Sequence, residues 1–339
     1  MSRTAVVLFN LGGPDGPDAV RPFLFNLFND PAIIGAPAPV RWLLAKLIST
    51  RRAPVARDIY ANLGGGSPLL ANTQAQSDAL EQALGDGFRC FVAMRYWHPF
   101  AAEAVAAVKA YAPDQVLLLP LYPQFSTTTT GSSIADWRRA AGAAGLDAAT
   151  HTVCCYFENE PFVATIAKRV RAALDALTAP RVLFTAHGLP KKVVAAGDPY
   201  QWQVERTAAA LAAVIGRPDL DWVTCYQSRV GPLEWLQPYT SDVLEDAGRE
   251  GKPVVVVPIG FTSEHSETLV ELDIEYRELA EAAGVLDYVR VDTVGADTAF
   301  IDGLASLVRR SLSQNATMTC DGAPRQCPHT FSRCPCEGL

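Results

Sequence analysis

Apolar residues come along this chain in short β-branched runs, separated by longer stretches in which they recur every three or four positions. Eight runs read as strands: residues 5–11, 89–97, 115–122, 152–156, 181–187, 222–227, 253–259 and 288–292. A run such as PVVVVPI (253–259) has no polar alternation, the mark of a strand covered on both faces. Ala-rich helical stretches, for example 101–111 and 204–215, separate most of the runs. Strands alternating with helices predict parallel βαβ units in an α/β fold.

The pattern also repeats. AVVLFNLGGP (5–14) resembles RVLFTAHGLP (181–190), and VLLLPLYPQFSTTTT (116–130) resembles VVVVPIGFTSEHSET (254–268), with Pro120 matching Pro258. Two similar Rossmann-like, doubly wound domains follow, 1–165 and 166–310, each with a parallel four-stranded sheet flanked by helices. Their strand ends are expected to face one another across an active-site cleft. Residues 22–60 have no counterpart in the second half and form an insertion; 311–339 are a Cys-rich extension. Within the insertion, RWLLAKLISTRR (41–52) interleaves Trp42, Leu43, Leu44, Leu47 and Ile48 with Arg41, Lys46, Arg51 and Arg52. Such a helix either lies on an anionic membrane surface, with 31–52 as the contact, or packs inward as a lid.

Composition narrows the classes. The 339 residues are 49% apolar and 19% charged, as in an ordinary globular protein. A net charge of −7 weighs against a nucleic-acid partner, which would need a basic face. No apolar run approaches the ~20 residues of a membrane span, and MSRTAVVLFNLGGP lacks the plan of a secretory signal. A cytoplasmic protein is expected, peripheral on the inner face of the membrane if the basic helix touches lipid. Gly12-Gly13 and Gly64-Gly65-Gly66 lack both the G-x-G-x-x-G spacing and a Walker lysine, so no nucleotide is expected and they read as turns.

The chemistry gathers where the 253–259 strand ends. Ligands in open α/β sheets bind outside the carboxyl ends of strands, and here a helix entry carries Glu264, His265 and Glu267. At helical spacing Glu264, Glu267, Glu271, Glu275 and Glu278 fall on one stripe, with only Arg277 among them. Like charges at these spacings repel by about 0.2–0.5 kcal/mol per pair. The stripe reads either as a solvated face or as a track for a divalent cation. Half of the eight cysteines (Cys320, Cys327, Cys334, Cys336) lie in the last twenty residues. Without an export signal, thiols so grouped favour a metal or cluster over disulfides, and a zinc site using His329 is one alternative.

Ordered motifs along residues 4–310 resemble the ferrochelatase family: NLGGP (10–14), IYANLGGGSP (59–68), MRYWHP (94–99), LYPQFSTTTTGSS (121–133), TAHGLP (185–190), GDPY (197–200), YQSRVGPLEWLQP (226–238) and GFTSEHSETLVELDIEY (260–276). The resemblance implies a lyase that inserts ferrous iron into a porphyrin, releases two protons and uses no nucleotide. It places His187 as the base and Glu267 as the metal-side acid, with Glu264, His265, Glu271 and Glu275 as further metal or proton carriers. Tyr60, Ser67, Arg95, Tyr96, Tyr122 and Trp235 match porphyrin-binding positions, and the loop 122–129 as a whole matches pocket-lining ones. It also implies a [2Fe–2S] cluster held by Cys154 or Cys155 together with Cys327, Cys334 and Cys336. Protoporphyrin IX is the expected substrate; coproporphyrin III is the neighbouring reading, and a non-catalytic haem- or metal-binding protein the distant one. A homodimer is compatible with all three.

Overall fold

The computed structural model describes residues 2–336. Among the described residues nine strands are present: β1 (Thr4–Asn10), β2 (Phe88–Met94), β3 (Gln115–Pro120), β4 (Ala149–Cys155), β5 (Arg181–His187), β6 (Trp222–Gln227), β7 (Val254–Pro258), β8 (Tyr288–Arg290) and β9 (Met318–Cys320). They form two parallel sheets, in the orders β2-β1-β3-β4-β9 and β6-β5-β7-β8. The internal repeat is therefore topological as well as sequential, because each sheet begins 2-1-3-4. Its register holds too: Phe9 pairs with Pro120 and Thr185 with Pro258, the positions that the sequence repeat equates.

The first sheet has five strands, not the four expected. Its extra strand, β9, comes from the Cys-rich extension and pairs in parallel with β4, Thr152 opposite Met318 and Cys155 opposite Cys320. Three residues, MTC, carry too little periodicity to announce a strand. Some expected strands also run too far: β2 stops at Met94 and β8 at Arg290, where the chain turns into loops.

The two sheets share one core. Leu8 and Leu117 of the first, and Val182, Phe184 and Val255 of the second, belong to a single buried apolar cluster. Helix Thr298–Ser313 closes it by packing on helices Leu69–Leu84 and Glu160–Asp175. Buried polar side chains then pin the halves together. The Gln76 amide donates to the carbonyls of Thr262 (3.1 Å) and Gly295 (2.9 Å) and accepts from the Ser263 hydroxyl (2.7 Å). Fully buried Asp198 accepts from the Ser126 hydroxyl and from the backbone N–H and hydroxyl of Thr127. The Asp198 bonds hold Ser126 and Thr127 against the turn that opens helix Tyr200–Ile215.

The insertion folds as two helices, Val20–Phe28 and Ala38–Ala61, packed on each other. The longer one turns small residues inward (Ala45, Ser49, Ala53) and leaves Val40, Trp42, Leu43, Leu44 and Leu47 exposed. A helix folded only to cover a core would bury its large side chains and expose the small ones. Among the described residues no helix is long and apolar enough to cross a membrane.

Candidate active site

β5 ends in His187, and the chain following β7 returns as the π-helical segment Glu267–Glu275. Adjacent β5 and β7 therefore deliver an imidazole and a carboxylate to one point, with Glu267 Oε2 2.8 Å from His187 Nδ1. An ionised carboxylate can only accept, so Nδ1 carries the proton, and when the ring is neutral the lone pair is on Nε2. The His187 carbonyl accepts from the Tyr200 hydroxyl at 2.9 Å, and the Trp235 ring stands edge-on to the imidazole at 6.3 Å between centroids.

Charge sets the protonation states. Burial works against a charged His187, but the Glu267 and Glu271 carboxylates outweigh it and raise its pKa above the ordinary histidine value. Burial opposes ionisation of Glu267, yet the His187 charge and hydrogen bond overcome it, with help from His265 and Ser228, and lower the pKa to about 2. Glu271 goes the other way: burial, then the Glu267 charge, raise its pKa. Two neighbouring carboxyls are thus shifted in opposite directions, Glu267 toward the anion and Glu271 toward the protonated acid.

The acidic stripe is not the continuous ladder read from helical spacing. Over Glu267–Glu275 the helix is wound as a π-helix, which changes the faces on which carboxylates at 267, 271 and 275 emerge. Glu275 and Glu278 are exposed to solvent. Glu264 is bonded to the nearly buried Arg290 (2.7 Å) and to the Thr293 N–H (2.8 Å). Arg290 also grips Asp273 at 2.6 Å, so the cation that relieves the acids comes from β8, not from Arg277 within the helix. Burial lowers the pKa of His265, against the pull of Glu267 and Glu264, and its Nδ1 is buried with no hydrogen-bond partner.

Of the other expected site residues, Tyr60 is buried, its hydroxyl pushed up to about 12 by burial. Ser67 donates its backbone N–H to the Pro14 carbonyl (2.7 Å) and fills the space over Gly13, whose missing Cβ allows that approach. Tyr122 lies between the first-sheet core and the ion-pair network at Arg95, with burial raising its pKa. Arg95 and Tyr96 are engaged elsewhere: both bond the buried Asp30 carboxylate at 2.8 Å, and the Ser132 hydroxyl bonds it as well. Tyr96 is fully buried, so this pair anchors the insertion to the end of β2.

Sequence reasoning singled out neither Gln227 and Ser228 nor Asp30. Gln227 Nε2 (3.0 Å) and Ser228 Oγ (2.5 Å) both donate to Glu271, and Ser228 does so from a left-handed backbone with φ of 65°. A non-glycine residue held in that region costs about 1–3 kcal/mol and tends to occur at functional sites. Their position at the end of β6, beside β5, was the available signal.

A second group of side chains lies away from this pair. Cys154, Cys155, Cys320, Cys327, Cys334 and Cys336 are all buried in one cluster with Phe125 and Phe157. The Cys155 and Cys320 sulfurs are 3.0 Å apart, and Gln203 Nε2 donates to Cys327 at 3.1 Å. Cys334 interacts with Cys154 and Cys327, which lower its pKa, whereas burial raises that of Cys155. Arg325 ties the tail by donating to the carbonyls of Cys327, Pro328 and Phe331. Among the described residues no group of three or more His, Cys, Asp or Glu side chains is already set to hold a metal ion. His329 is exposed and outside the thiol group.

The two-sheet arrangement is the chelatase fold. "SirB from Bacillus subtilis with Fe3+" superposes with a TM-score of 0.55 at 12% identity, covering 92% of this chain and 96% of that one. The Ferrochelatase family model matches residues 3–312. Proteins called Ferrochelatase from Caulobacter vibrioides and Phenylobacterium zucineum are 54% and 52% identical, each over 99% of this chain and 98% of its own length. That from Pelagibacter ubique is 45% identical over 98% of both. The chain belongs to the ferrochelatase family; it is a lyase whose substrates are ferrous iron and a porphyrin.

Proposed function

We propose that the enzyme metallates protoporphyrin IX to protohaem, with His187 as the base and Glu267 as the carboxylate on the metal side. The observation that carries this is the 2.8 Å His187–Glu267 pair, where the end of β5 meets the start of the π-helical segment. Metallation must remove two pyrrolic protons. A neutral imidazole with its Nε2 free suits that task, and the raised Glu271 offers the next proton acceptor, 2.5 Å from Ser228. Glu267, held as an anion, is a hard oxygen ligand able to replace water on Fe2+. Trp235 and Tyr60 supply aromatic walls for a flat macrocycle. Glu264 serves as a structural partner of Arg290, and Glu275 as a solvent-side acid. The division into residues 1–165 and 166–310 is a functional one, with the second lobe carrying both reacting residues.

Protoporphyrin is preferred over coproporphyrin because of the exposed apolar face of the helix Ala38–Ala61, on the same helix as Tyr60. An apolar porphyrin collected from a membrane surface needs such a face, and Arg41, Lys46, Arg51 and Arg52 would hold it to anionic lipid. The enzyme then works in the cytoplasm, docked peripherally through 31–52. Anaerobic assay with Fe2+ and each porphyrin tests the choice: kcat/KM should favour protoporphyrin, and preference for coproporphyrin would reverse it.

The buried thiols suit a [2Fe–2S] cluster: all sulfur, unbridged by disulfides and screened from water. Cys327, Cys334 and Cys336 would hold it with Cys154 or Cys155, while Cys320 lies against Cys155 as a further thiol. When bound, the cluster would cross-link the tail to the first sheet, since metal insertion itself transfers no electron.

A further inference from the structure

We propose that Gln203 is a positioning residue that couples the thiol site to the pocket segment 122–129, so that the state of the sulfurs is read at the Phe125 backbone. The inference rests on the cofactor reading above. Gln203 is fully buried on helix Tyr200–Ile215, and its amide faces two sites at once. Its Oε1 accepts from the Phe125 N–H at 2.7 Å; its Nε2 donates to Cys327 Sγ at 3.1 Å and reaches Cys155 Sγ at 3.5 Å. The orientation is forced, because a backbone N–H can only donate and must meet the oxygen, leaving the NH2 for the sulfurs.

The same helix face reaches further. Tyr200, three residues earlier, donates to the His187 carbonyl, and Thr207, four residues later, accepts from Gln124 at 3.0 Å. Positions 200, 203 and 207 share one face at helical spacing. One rigid element therefore touches the proposed base, the pocket segment and the thiols. A sulfur carrying negative charge, as a metal-bound thiolate does, accepts an N–H bond more strongly than a neutral thiol. Loading the sulfurs then anchors the amide, and with it Phe125.

The test uses the full-length protein purified anaerobically, its iron and sulfide measured, before and after stripping with a chelator. Amide hydrogen exchange at 122–129 should speed several-fold on stripping in the wild type. In Gln203→Leu and Gln203→Met it should be fast in both states. The two variants should also shift the cluster to a lower reduction potential, since an N–H bond to sulfur favours the more negative reduced form. Exchange indifferent to stripping in the wild type, or a potential unmoved in both variants, overturns the coupling. If the wild type holds no iron and sulfide, the cofactor reading fails by itself. Cys327→Ser then replaces stripping: faster exchange at Phe125 upholds the Gln203 link, and unchanged exchange overturns it.

Discussion

Glu267→Gln isolates the charge that sets His187. The carboxylate accepts from Nδ1 at 2.8 Å, with 36% of the imidazole and 25% of the carboxylate side chain still exposed. Hydrogen bonds to charged groups contribute about 1.5–3 kcal/mol, and one pKa unit corresponds to about 1.4 kcal/mol. Solvent screening argues for the lower end, so the His187 pKa should fall by about one unit. A second effect limits the fall: once Glu267 is neutral, Glu271 loses the charge that helped to raise it and ionises more readily near the same ring. The base must be neutral to take a proton, so the acid limb of the kcat/KM profile reports the His187 pKa in the free enzyme. In Glu267→Gln that limb should move to lower pH by about one unit while the plateau drops about 10²-fold or more, the weight of a lost catalytic group. An acid limb that stays in place or moves upward would refute the electrostatic reasoning.

Asp30→Asn leaves the Arg95 guanidinium beside a neutral partner. Breaking a buried pair costs about 3–5 kcal/mol, and since Arg95 is 19% exposed, about 3 kcal/mol is expected in urea denaturation, with faster proteolysis of the insertion. The depressed pKa of Glu267, about 2 against an ordinary 4.5, contributes stability that is present above pH 4.5 and lost as pH falls toward 2. Thermal melts should show about 1–3 kcal/mol lost over that window in the wild type and little of it in Glu267→Gln. Trp42→Ser with Leu43→Ser, both exposed, should leave turnover of detergent-solubilised porphyrin unchanged and lower binding to anionic vesicles about tenfold.

The doubled topology was legible because core strands such as VVVVP announce themselves by composition, and because Pro120 and Pro258 mark the same register in both halves. His187 came from the motif TAHGLP and Glu267 from the helix entry that follows β7; that the two side chains meet at 2.8 Å needed the fold. What could not be read was set by contacts distant in sequence. β9 exists only because β4 offers it an edge, and the π-helical winding of Glu267–Glu275 does not follow from residue spacing. The pairing of Glu264 with Arg290 spans 26 residues, so counting charges along one helix missed the relieving cation. Arg95 and Tyr96 matched pocket positions by motif, while their bonds to Asp30 needed the fold.

The most direct measurement is Fe2+ insertion by His187→Ala alongside its porphyrin affinity by fluorescence titration. If the imidazole at the end of β5 removes the pyrrolic protons, binding survives within a few-fold while kcat falls by about 10²–10⁴. Metallation at the wild-type rate in this variant would contradict the account.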